Sequence, residues 1–359
     1  MSALNENTTN AYLLSLLPDE LEALVLSLGE PKYRAQQLFA PMHSGTSPQD
    51  ITNIGKALKQ KLSENAIYCL PTIRRKLVSI IDGTVKYLFG LDDGNSVESV
   101  VMKYKHGNTI CISSQVGCRM GCKFCASTIG GKIRDLRPDE MLGQIIAAQK
   151  DTGERISNVV MMGIGEPLDN YDNVIKFLKL VNCENGLNIG YRHISLSTCG
   201  LADKIDALAK ESFPITLSIS LHASDDETRN SIMPVNKKWN IDKLLSSCKS
   251  YYAKTGRRIS FEYTLISGKN DSEKAAVDLA SLLNSRLRGH NDTMPIHVNL
   301  IPVNPVSETG FSTSERKTVE KFAATLERKG VRATVRRTLG SDINASCGQL
   351  RREEEQVNA

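Results

Sequence analysis

No apolar run in the 359-residue sequence approaches the ~20 residues that a membrane helix needs; the longest, "NVVMMGIG" and "ITLSISL", have strand length. A membrane span is therefore not expected. The N-terminus "MSALNENTTNAYLL" lacks a basic region followed by an apolar core and a small-residue cleavage site, so the expected location is cytoplasmic. Internal repeats and low-complexity blocks are also missing, which excludes solenoid and linker architectures. One further absence concerns a cluster. "GCRMGCKFCAS" places Cys118, Cys122 and Cys125 within eight residues, and no fourth cysteine follows nearby.

The nine cysteines are an odd number in a large chain with no export signal, which argues for reduced thiols over a disulfide scaffold. The formal charge of +5 is modest but gathers in short basic knots: Arg74, Arg75 and Lys76; Lys237 and Lys238; Arg257 and Arg258; Arg336 and Arg337; Arg351 and Arg352. Such knots can meet phosphates or simply face water.

Residues 1–70 read as a small helical accessory unit, with three-and-four apolar spacing in "YLLSLLPDELEALVLSLG", "PKYRAQQLFAPM" and "DITNIGKALKQKL". From residue 71 to about 105 the period changes to two between Asp-Gly and His-Gly turns, predicting a β-hairpin extension that leads into the core. Residues 106–340 alternate strand and helix. "TICISS", "NVVMMG", "HISLST", "ITLSISL", "RISFEYTLI" and "HVNLIPV" give about six β/α units, too few for a closed eightfold barrel. The expected fold is α/β, a partial (βα)6 barrel with its function at the C-terminal strand ends. A last strand, "VRATVRRT", precedes residues 341–359, a tail too polar to be core.

The C-x3-C-x2-C spacing of Cys118, Cys122 and Cys125 bends three thiolates around one centre, with Gly117 and Gly121 allowing a close turn. Taken alone it admits three readings. A structural zinc site would need a fourth ligand, for which Cys111 and His106 are nearest; an iron-sulfur cluster can leave one position open; buried thiols need no metal.

The surrounding motifs narrow this. "CISSQVGCRMGCKFCAS", "MMGIGEP", "SLSTCG", "SLHA", "NLIPVNP" and "DINASCGQL" occur in this order between about Glu98 and Leu350. The chain thereby resembles the RlmN/Cfr family of radical S-adenosylmethionine RNA methyltransferases. The resemblance implies one 4Fe-4S cluster on Cys118, Cys122 and Cys125, with the open iron chelated by S-adenosylmethionine. It also implies cofactor contacts from Gly165, Glu166, Ser197, Ser220, Leu221, His222 and Asn304.

Two S-adenosylmethionine molecules per turnover are implied. Adenine carbon 2 or carbon 8 cannot act as a nucleophile, and the resemblance implies that one methyl group is first placed on the Cys347 thiolate and then passed to the base by radical chemistry. Cys111 is implied to resolve the RNA adduct by forming a transient disulfide with Cys347, and Glu98 to accept a proton. Without the family pattern, Cys111 would read as a core-facing strand cysteine, Glu98 as an exposed carboxylate, and Cys69, Cys183, Cys199 and Cys248 as packing residues.

The implied substrates are 23S ribosomal RNA near the peptidyl transferase region and the transfer RNA adenosine next to the anticodon, with a flavodoxin-type electron donor. No obligate protein partner is visible. "CASTIGGKIRDL" looks closer to the carbon-2 branch than to the carbon-8, antibiotic-resistance branch. Arg119, Lys123, Lys132, Arg134 and Arg137 are the first candidates for phosphate contacts or for shielding a charged cluster. The alternative of a different class is a non-catalytic, zinc-stabilised RNA-binding protein.

Overall fold

A helix begins where a proline removes an unneeded donor and a carboxylate caps the first turn, and the N-terminal unit starts this way. The computed structural model describes residues 11–288, 294–304, 310–343, 345, 350 and 351. Strand β1 (Ala11–Tyr12) leads into α1 (Pro18–Ser27), where Pro18 is the first helical residue and Glu20 accepts from the Leu17 amide at 2.8 Å. Helices α2 (Tyr33–His43) and α3 (Lys56–Asn65) follow, and β2 (Ala66–Ile67) returns to pair with β1. Their inward residues Leu21, Val25, Leu38, Met42, Leu58 and Leu62 belong to the same apolar core as the sheet. The unit is further tied to the sheet layer by the Lys176–Glu20 ion pair at 2.7 Å.

Strands β3 (Thr72–Val78), β4 (Val85–Gly90), β5 (Ser96–Tyr104) and β6 (Gly107–Cys111) form an antiparallel meander. A short antiparallel pair follows, β7 (Gln115–Gly117) with β8 (Lys132–Asp135), and the cysteine loop hangs between them. Then come α4 (Pro138–Thr152), β9 (Ile156–Met161), α5 (Tyr171–Asn182), β10 (Ile194–Thr198), α6 (Ala202–Glu211) and β11 (Thr216–Ser220). After α7 (Asp226–Ile232) and α8 (Ile241–Thr255) the chain continues through β12 (Ile259–Leu265), α9 (Glu273–Leu287), β13 (Ile296–Pro302), α10 (Arg316–Arg328) and β14 (Arg332–Val335).

One ten-stranded sheet runs β14-β13-β12-β11-β10-β9-β6-β5-β4-β3, parallel from β14 to β6 and antiparallel beyond. Its ends, β14 and β3, do not pair with each other, so the barrel is partial. The strands of the expected hairpin extension are thus built into the same sheet as the β/α core. Three features escaped the pattern reading: the two-residue β1–β2 pair within the helical unit, the β7–β8 pair, too short for a periodic signal, and α7, whose seven residues lie in a polar stretch. The C-terminal segment also departs from its polar reading at Leu350, which is buried. Among the described residues no helix is long and apolar enough to cross a membrane.

Candidate active site

The cysteine loop is shaped by its backbone. Gly117 has φ +76°, and a methyl group on it would lie 1.9 Å from the Gly131 carbonyl oxygen, which instead accepts the Cys118 amide at 2.9 Å. Thr128 Oγ1 donates toward the carbonyls of Cys122 at 3.1 Å and Cys125 at 2.9 Å, closing the turn. Cys118, Cys122 and Cys125 then face one cavity of about 220 Å³ at the C-terminal ends of the parallel strands. Burial pushes the Cys118 thiol up to about 12 and raises Cys122 and Cys125 as well. Three buried sulfurs that resist ionisation suit a cationic group able to hold them as thiolates.

The donor set fits a cluster with an open position better than a closed zinc site. Cys111, the fourth ligand that zinc would take, lines a neighbouring cavity, and His106 stacks on Tyr104 with ring centroids 5.2 Å apart. Among the described residues no three His, Cys, Asp or Glu side chains close on a single ion.

Loops after successive strands build the other walls. Gly165 (φ +110°) follows β9, and a methyl there would sit 2.7 Å from the Gln115 nitrogen. The enclosed Glu166 accepts from the amides of Cys199 at 2.7 Å and Leu168 at 3.0 Å, with the Cys199 and Thr198 side chains also against its carboxylate. Burial raises the Glu166 carboxyl above the usual carboxylate range, against those two bonds. Ser197 and Ser220 line the cavity. His222 lines it too, with φ +58°, its Nδ1 accepting the Thr264 amide at 2.9 Å and its ring edge-on to Phe124. Burial and then Arg229 lower its ionisation to about 3, so it is a neutral imidazole.

Two predicted contacts lie elsewhere. Leu221 is buried behind the wall, its amide donating to the Glu262 carbonyl at 3.1 Å, and Asn304 lines the neighbouring cavity.

Three groups that pattern reading passed over complete the wall. Arg229 is wholly buried and donates to the carbonyls of Cys199 (2.7 Å), Ser220 (3.2 Å) and Leu221 (3.0 Å), fixing the ends of β10 and β11 with one planar fork. Glu262 on β12 accepts from Asn299 at 2.7 Å and Ser260 at 3.0 Å, and burial raises its carboxyl. Cys199, expected only to pack, faces the cavity. "STCG" was the only signal for Cys199; Arg229 lies in a polar stretch with no periodic signal, and Glu262 is one charge on a strand pattern.

The second cavity, also about 220 Å³, is lined by Glu98, Cys111, Arg337, Asn304 and Ala345 and shares Met162, Gly163, Ile301 and Arg336 with the first. Glu98 is buried here, unlike its exposed reading, and its Oε2 lies 3.2 Å from Lys86 Nζ. Its Oε1 accepts the Arg351 amide at 2.7 Å. Burial raises the Cys111 thiol, with Arg336 opposing. Cys347 and Arg352 lie outside the described residues; Ala345 and Arg351, which bracket Cys347 in sequence, both meet this cavity's walls.

The basic groups beside the cysteine loop are mostly engaged internally. Arg119 pairs with Asp169, Lys132 with Asp135 (2.8 Å) and Asp169 (3.1 Å), Arg134 with Asp93 (2.6 Å) and Glu140 (2.7 Å), and Arg137 with Asp139 (3.0 Å). These pairs tie the loop and β8 to the start of α4, the β4–β5 turn and the turn before α5, an arrangement that suits the shielding alternative, while Arg119 keeps most of its side chain exposed.

Comparison with known proteins matches the same two regions. Residues 11–68 fit the ribosomal RNA large subunit methyltransferase N-terminal domain, and residues 112–280 the radical SAM superfamily. The chain is 53% identical to a probable dual-specificity RNA methyltransferase RlmN of Alkaliphilus oremlandii over 95% of this chain and 97% of that one. It is 51% identical to the protein of the same description in Clostridium novyi, with the same coverage. A crystal structure of a radical SAM methyltransferase from Sphaerobacter thermophilus superposes with TM-score 0.88 at 39% identity, covering 94% of this chain and 98% of that one. The two adjoining cavities and their cysteines are thus those of a member of a known family: the chain belongs to the RlmN family of radical SAM RNA methyltransferases.

Proposed function

We propose that the protein methylates carbon 2 of one adenosine in 23S ribosomal RNA and of the transfer RNA adenosine next to the anticodon, through a methylated cysteine. The observation that carries this reading is the adjacency of the cavities: the three-thiol cavity and the Cys111–Glu98 cavity share the Met162-Gly163 wall and Arg336. Relatives at 51–53% identity described as dual-specificity RNA methyltransferases support the two RNA substrates.

Cys118, Cys122 and Cys125 would hold a 4Fe-4S cluster, with Glu166, Ser197, Ser220 and His222 around the S-adenosylmethionine that occupies its free iron. Bound together, these groups supply the one-electron chemistry that an amidine-type adenine carbon requires. Neutral His222 can donate through Nε2 but adds no charge beside a sulfonium. In this reading Cys347 accepts a methyl group as thiolate and presents it to the base. Glu98, facing Lys86, would take the proton lost from the adenine carbon once the methyl carbon has bonded to it. Cys111 then attacks the Cys347 sulfur: the S–S bond forms, the bond between that sulfur and the transferred carbon breaks, and the carbon keeps the electron pair and gains a proton as the methyl group of the released RNA. A low-potential donor of the flavodoxin type would reduce the cluster.

The test is to reconstitute the enzyme anaerobically, treat unmodified ribosomal and transfer RNA, digest them to nucleosides and separate the methyladenosine isomers by mass spectrometry. The 2-methyl isomer is expected from both RNAs. The 8-methyl isomer alone would replace this reading with that of the carbon-8 branch.

A further inference from the structure

The turn between β3 and β4 leaves two β-branched apolar side chains in water. Ile80 is 94% exposed and Ile81 68%, the two most exposed large apolar residues among those described. Each leaves nearly a whole aliphatic side chain in water instead of in the core. Single exposed aliphatics are ordinary, but an adjacent pair on a braced tip is not.

The tip is held firmly. Ser79 donates its amide to the Thr84 carbonyl at 2.8 Å, and Ser79 Oγ accepts the amides of Ile81 (3.2 Å) and Asp82 (3.3 Å). It is also clasped to the lip of the Cys111 cavity. Asp82 Oδ2 accepts the Gly340 amide at 2.8 Å, while Asp342 accepts from Ser79 Oγ at 2.7 Å and from the Ile80 amide at 2.9 Å. A methyl group on Gly340 would lie 3.2 Å from Thr84 and 2.6 Å from Ala345, which lines that cavity. Two exposed cations flank the clasp: Lys103 on β5, whose stem runs against Gly83 while its ammonium pairs with Glu154 at 2.6 Å, and Arg337 on the cavity wall.

We infer that Ile80 and Ile81 form a wedge that enters the substrate RNA beside the target adenosine, filling the gap left in the base stack when that base turns into the Cys111 cavity. The inference rests on the RNA methyltransferase reading above and adds a contact surface to it. An adenine can reach a walled cavity only by leaving its stack, and an inserted apolar side chain offsets the lost stacking. The exposed Arg337 on the wall of the cavity that receives the base favours an RNA as the occupant, because its guanidinium can meet a backbone phosphate there.

The test compares the reconstituted wild type with Ile80→Ser/Ile81→Ser and Ile80→Leu/Ile81→Leu. The substrate is an anticodon stem-loop transcript carrying 2-aminopurine next to the target adenosine. Methylation of Cys347 without RNA is followed as a control. The serine variant should lose about tenfold in kcat/KM for RNA, or about 1.4 kcal/mol. It should also lose the fluorescence rise that reports unstacking, with Cys347 methylation unchanged and the leucine variant close to wild type. Wild-type RNA turnover and fluorescence in the serine variant would overturn the wedge, as would loss of Cys347 methylation, which would assign the turn to positioning the tail. Failure of the wild type itself to methylate RNA would instead strike the proposed function.

Discussion

Lys86 and Glu98 face each other on neighbouring strands with Nζ 3.2 Å from Oε2 and both side chains 1% exposed. Removing Lys86 takes the facing cation from a buried carboxylate that keeps the Arg351 amide as a donor, so Lys86→Met should destabilise the protein by about 3 kcal/mol. Adding Glu98→Gln should recover part of that loss. Denaturant unfolding of the single and double variants checks both statements.

Gly117→Ala places a methyl group against the Gly131 carbonyl at a backbone angle of +76°. The cysteine loop cannot keep its shape with that contact. Iron and sulfide bound after anaerobic reconstitution should fall to a small fraction of the wild-type content, while far-ultraviolet circular dichroism stays near normal because the sheet lies outside the loop.

Cys111 lines the cavity adjoining that of Cys118, Cys122 and Cys125. Alanine at any of the latter three should abolish bound iron. Cys111→Ala should keep the full iron content and accumulate a protein–RNA adduct visible on a denaturing gel. Loss of metal from the Cys111 variant would revive the closed zinc site.

His222 ionises near 3 in the folded protein against an ordinary 6.5. Between those values the unfolded chain binds a proton that the native state refuses, so stability falls as pH drops below 6.5. The slope approaches about 1.4 kcal/mol per pH unit. Unfolding free energies measured at pH 7 and pH 5 should differ less in His222→Gln than in the wild type by about that order for each unit.

Much of this molecule is legible in one dimension. The strands from "TICISS" to "HVNLIPV" appear as β6 and β9–β13, because alternation of apolar strands with amphipathic helices is a local property of the chain. Gly117 reads correctly for the same reason, since the close turn it permits lies within the motif that contains it. The charges read less well. Arg134 and Arg137, equally candidates for phosphate contact and for shielding by sequence, pair with Asp93, Glu140 and Asp139, and Arg229 is a wholly buried fork in a stretch that looks like a polar loop.

The sequence by itself determined the β/α alternation, the three-thiol spacing and the order of motifs that mark the family, since each is written in residues close together along the chain. Only the tertiary structure decided that Cys111 belongs to a second cavity, that Glu98 is buried against Lys86, that Cys199 and Glu262 face the first cavity, and that the β3–β4 turn is clasped to its neighbour's lip. Those properties depend on what stands about 3 Å away in space. The Lys86–Glu98 pair spans a hairpin, the Asp82–Gly340 bond spans most of the chain, and no local pattern records either.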